Sequence, residues 1–180
     1  MLNLFPSLEY PKLKLSILVL LTLNALIYAL VDTLTGAVDA IVWLVLLVLY
    51  EAETNLNNLP LSATVLQNIR HALIVVIVLV FFSYMLTGEW LDVLNTLLWL
   101  VLIALLELEV RYREWVTEHQ SWVWLIKIAT FCALVAIAVV WCWMGDWLDG
   151  YDAFLWITAF ALIEVDIFYF LQRQGLNPKI

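Results

Sequence analysis

The feature that most constrains this chain is a series of long apolar runs separated by short polar turns. A bilayer core about 30 Å thick needs roughly 20 apolar residues of helix to cross it. Six segments meet or approach that length: Leu15–Val31, Val38–Tyr50, Ile69–Thr87, Leu91–Leu106, Trp122–Met144 and Tyr151–Leu171. The second meets charge early and spans only if Glu51 and Glu53 lie within the helix. The runs are continuous, not alternating, which selects helices over barrel strands. The expected fold class is an all-α integral membrane protein with six transmembrane helices. All 180 residues are read as a single membrane domain.

Composition narrows the function classes. The chain is 66% hydrophobic and 13% charged, against about half and a quarter for a soluble domain. Its mean hydropathy is +1.00. Disorder requires low hydrophobicity and is excluded. Sixteen acidic residues against eight basic ones would repel phosphate, so no nucleic-acid partner is expected. The partner that composition implies is the lipid bilayer.

Punctuation agrees with the spans. Gly36, Gly88, Gly145 and Gly150 are expected in the turns, and all four prolines fall outside the runs. Charge then sets orientation. The bases Lys12, Lys14, Arg70, Arg111, Arg113, Lys127, Arg173 and Lys179 all lie on one side of a six-span arrangement. The opposite turns hold Asp32, Asp39, Glu89, Asp92, Asp146, Asp149 and Asp152, with no base among them. The positive-inside rule puts both termini in the cytoplasm, with a bacterial inner membrane as the expected location.

The even spans carry a repeat. Trp43, Trp99 and Trp156 are each followed eight residues later by an acid, in Glu51-Ala52-Glu53, Glu107-Leu108-Glu109 and Glu164-Val165-Asp166. Lys14, Arg70 and Lys127 each precede their tryptophan by 29 residues. The unit is a two-helix hairpin recurring over about 12–54, 69–110 and 126–171. Three parallel hairpins can close as a pseudo-three-fold bundle or extend as a row, and both remain open. Membership in the repeat also favours a true first span over a cleaved signal peptide.

The acids are the candidate functional groups. Asp39 to Glu51 covers roughly 18 Å of helix, which places Glu51 inside the cytoplasmic boundary. Glu107 and Glu164 occupy the matching depth. An ionised carboxylate there is costly unless paired or hydrated. One reading is a converging acidic ring that binds or passes cations. The other pairs each acid with Lys14, Arg70 or Lys127, which recur in register at the same end. Pairing is preferred because the bases match the acids. Within each pair the acids lie about 200° apart around the helix, so they face different partners. The deeper Glu51, Glu107 and Glu164 carry the most weight, and Glu53, Glu109 and Asp166 complete the set.

Trp43, Trp99 and Trp156, four residues after an outer Asp or Asn, read as an outer interfacial belt. Trp90 and Trp147 read the same way. Arg111–Gln120 reads as a charged extension of the fourth span. His71 and His119 sit at the cytoplasmic margin, which disfavours paired haem ligation across helices. Cys132 and Cys142 lie about 15 Å apart along one helix, too far for a disulfide, and are expected to pack. No metal spacing, phosphate loop or nucleophile elbow occurs, and no cofactor is indicated.

Two functions stand ahead of a third, a membrane enzyme or cofactor carrier. The first is a non-catalytic membrane component, a scaffold or accessory subunit, self-associating or joined to other membrane subunits. The second is a small cation or proton channel or transporter using the intramembrane acids.

Overall fold

The computed structural model describes residues 9–55 and 63–173. Among them the chain is entirely helix and short turn, with seven helices: α1 (Glu9–Val31), α2 (Leu34–Asn55), α3 (Ala63–Thr87), α4 (Trp90–Arg111), α5 (Arg113–Glu118), α6 (Gln120–Met144) and α7 (Trp147–Arg173). Each of the six apolar runs lies inside one helix. Three stretches are long and apolar enough to cross a membrane: Lys12–Val31, Thr64–Thr87 and Gln120–Met144. The apolar parts of α2 and α4, Leu34–Leu49 and Trp90–Leu106, are shorter, because acids enter their last turns.

The turns have identifiable chemistry. Thr33 caps α2: its hydroxyl accepts from the Gly36 N–H at 3.1 Å and its carbonyl from the Ala37 N–H. Asp32 accepts from the Thr33 N–H at 2.7 Å. Helix α6 ends in a Schellman turn, with Gly145 at φ 95° and the Asp146 N–H donating to the Trp141 carbonyl. A positive φ of this kind strains most side chains and favours glycine. Gly88, at φ 81°, ends α3 in the same way.

Two of the expected turn glycines are not in turns. Gly36 lies in the first turn of α2, and Gly150 lies inside α7. A Cβ at Gly150 would overlap the Cys142 sulfur and stand 3.1 Å from the Ala138 carbonyl oxygen. Gly150 is therefore a close-approach residue, where α7 crosses α6. The expected extension of the fourth span also breaks. Tyr112 and His119 interrupt it and leave α5 as a separate six-residue helix.

The helices group into two compact units, one of residues 21–93 and one of residues up to 20 and from 94 onward. In the first, α2 packs on α3, around Val80, Tyr84 and Val93 with Val38, Val76 and Phe81 against them. In the second, α6 packs on α7. Leu102, Leu134 and Ala138 are fully buried there.

Candidate functional site

In the first unit the polar chemistry gathers between α2 and α3. The Asp39 carboxylate accepts from Trp43 Nε1 at 2.9 Å and from the Tyr84 hydroxyl at 3.3 Å. Asp39 and Trp43 stand four apart, so one helical face brings them together. Tyr84 reaches across from α3 and is buried. Further toward the helix ends, the Thr35 and Ser83 hydroxyls meet at 3.0 Å. The sequence reading used Asp39 only as an outer boundary marker. The structure makes it the hub of a helix-to-helix polar contact.

That contact has a measurable worth. Tyr84→Phe removes one donor and almost no volume, and is expected to lower stability by about 1 kcal/mol. Asp39→Ala strands two buried donors and is expected to cost about 2 kcal/mol or more. Thermal unfolding in mild detergent ranks the two. An unchanged midpoint for both variants would remove the contact from the account of α2–α3 packing.

In the second unit the main polar contact is an ion pair. Lys127 Nζ lies 2.8 Å from Glu109 Oε1 and 2.9 Å from Oε2, joining α6 to α4. Both side chains are largely shielded, at 13% and 21% exposure. Glu109, the acid seen to meet Lys127, is the second of its pair. The side chains of Glu51, Glu53, Glu107, Glu164 and Asp166 lie outside the described residues. Lys14 is half-buried on α1 and Arg70 is exposed on α3.

The three repeated tryptophans are buried, not lipid-facing. Trp43, Trp99 and Trp156 are 8%, 4% and 8% exposed. Trp99 and Trp156 meet edge-on with ring centroids 6.4 Å apart, and Phe160 lies 4.8 Å from Trp99. Packing against neighbouring helices accounts for these three rings. The face four residues after the outer polar residue is the one that packs on neighbouring helices. Other tryptophans take the exposed positions: Trp90, Trp143 and Trp147 beside the glycine turns, and Trp115, Trp122 and Trp124 at the opposite end of their helices. On α6, Trp122 to Trp143 spans roughly 32 Å of helix, close to the bilayer core thickness. The helix-end position signals exposure at Trp90, Trp122, Trp124, Trp143 and Trp147, while Trp141, also near a helix end, is buried.

His119 stacks on Trp115, with ring centroids 4.5 Å apart, and its Nδ1 lies 3.0 Å from the Trp115 carbonyl oxygen. Among the described residues, no group of three or more His, Cys, Asp or Glu could hold a metal ion. Cys142 packs at the α6–α7 crossing as expected, whereas Cys132 is exposed in the middle of α6. No family model, curated protein or solved structure matches this chain. The geometry alone must therefore carry any functional reading. Among the described residues it offers paired polar groups between helices.

Proposed function

We propose that this chain is a polytopic membrane protein of six spans, arranged as three repeated hairpins with both termini cytoplasmic. Its role is non-catalytic, as a scaffold or accessory subunit of a membrane assembly. One observation supports this above the others: the distribution of polarity is inverted relative to a soluble protein. Leu23, Leu26 and Leu30 on α1, Leu79 and Phe82 on α3, and Val135 and Val139 on α6 are exposed. The hydrogen-bonded Asp39, Tyr84, Glu109 and Lys127 lie between helices instead. Lipid is the solvent that suits such an exterior. A lysine at the matching depth held by a carboxylate fits a structural use of intramembrane charge.

Proteoliposomes test both parts. Cys132, exposed and ten residues past Trp122, is expected to resist a water-soluble maleimide until detergent denatures the protein. Rapid labelling in intact vesicles would sink the membrane reading for α6. In the same vesicles, cation and proton flux is expected to stay at the level of empty liposomes. Flux in the wild type that disappears in Glu51→Gln/Glu107→Gln/Glu164→Gln would replace the scaffold by the rival channel or transporter.

A further inference from the structure

We propose that a groove between α6 and α7 holds an acyl chain of a membrane phospholipid whose headgroup carries no net charge. The inference rests on the membrane reading above. The groove has a volume of about 300 Å³ and is lined by Trp124, Lys127, Ile128, Phe131, Ile157 and Ala161. That is the lower end of the range for ligand sites, and its walls are apolar except for Lys127.

Three observations choose the occupant. The first is charge. Lys127 is bonded to both oxygens of Glu109, so a base and an acid stand together beside the groove. An anionic headgroup would meet the Glu109 carboxylate as well as the ammonium. A headgroup with one phosphate and one ammonium complements both. The second is depth. Trp124 is 64% exposed, and exposed tryptophans on spanning helices lie at the headgroup level. Lys127 lies three residues further in, about 4.5 Å along the helix, within reach of the headgroups for a lysine stem. The apolar floor then continues toward the bilayer centre, as an acyl chain does. The third is shape. Close helix pairing in membranes uses small residues that let backbones approach. The α6 wall here is Trp124, Ile128 and Phe131, with the small Ala161 opposite. Such a wall keeps a second helix at a distance while admitting a flexible chain.

The test uses full-length protein in nanodiscs containing phospholipids with a photoreactive group on the acyl chain. Labelling is expected to concentrate on residues 124–131 and 157–161, several-fold above the exposed face of α3 around Phe82. Ala161→Phe fills the groove and should reduce this labelling several-fold, leaving the label on α3 unchanged. With matched chains, an ethanolamine headgroup should outcompete a glycerol headgroup. Glu109→Gln removes the carboxylate beside Lys127 and should reverse that order, which loss of a merely structural ion pair would not do. Uniform labelling, groove labelling indifferent to Ala161→Phe, or chain-to-chain crosslinks in place of lipid adducts would each overturn the proposal. Failure to enter nanodiscs would overturn the membrane reading together with it. Entry followed by uniform labelling overturns the lipid site alone.

Discussion

Lys127→Met is expected to destabilise the protein by on the order of 3 kcal/mol, and Lys127→Met/Glu109→Leu to recover most of that loss. The reasoning is asymmetric. Removing Lys127 leaves the Glu109 carboxylate shielded between helices with its charge uncompensated. Breaking a buried pair in this way costs about 3–5 kcal/mol, whereas replacing both members by apolar groups is often neutral. The exposure of 13% and 21% puts the expectation at the lower edge of that range. Thermal unfolding of the two single variants and the double variant in one detergent gives the coupling energy directly. Additive losses, with the double variant no better than the worse single one, would show that the contact carries no weight. The same cycle bears on function. A strong coupling is what a structural pair requires, while a carboxylate kept for ion binding should tolerate loss of the lysine.

The second large effect lies at Gly150. Gly150→Leu is expected to separate α6 from α7 and to cost more than about 3 kcal/mol, the upper part of the range for overpacking. The added side chain meets the Cys142 sulfur and the Ala138 carbonyl oxygen, 3.1 Å from an ideal Cβ. The sulfur can rotate away, but the carbonyl belongs to the backbone at Ala138, a residue with no exposed surface. Gly150→Ala is milder, since better helix propensity returns about 1 kcal/mol. Adding Cys142→Ala should relieve part of what remains. Gly145 provides the contrast. Nothing lies within 4 Å of its missing Cβ, but its φ is +95°. Gly145→Asn should be tolerated, because asparagine adopts the left-handed conformation, while Gly150→Asn should not. Equal stability losses for the two asparagine variants would show that crowding is not what glycine relieves at position 150.

These two sites show how far sequence reasoning reached. Gly145 was legible, because a glycine between two apolar runs signals a helix stop. Gly150 carries the same signal and was assigned to the same turn. Its true surroundings depend on how closely α7 crosses α6, which no local pattern encodes. Lys127 and Glu109 were both legible as members of a pairing set, because they recur in register. That the Glu109 side chain turns toward α6 is a matter of helix rotation, which spacing along the chain does not give. The tryptophans divide similarly. Their placement near helix ends was visible for Trp90 and Trp147. The burial of Trp99 against Trp156 and Phe160 arises from contacts between helices far apart in sequence.

The sequence by itself determined the helical class, the extent of the apolar runs and the charge asymmetry between their ends. Each of these is set by neighbours within a few residues: hydropathy summed along a helix, a cap, a glycine or a basic side chain. Tertiary structure alone decided which face of each helix is inside. It turned Asp39 from a boundary marker into an acceptor for Trp43 and Tyr84. It buried Trp43, Trp99, Trp141 and Trp156 and exposed the other six tryptophans, and it opened the groove beside Lys127. The physical reason is that apolar residues surround α1, α3 and α6 on nearly every side. An amphipathic stripe would announce the buried face. Where the exterior is as apolar as the core, hydropathy no longer distinguishes the two, and only packing does.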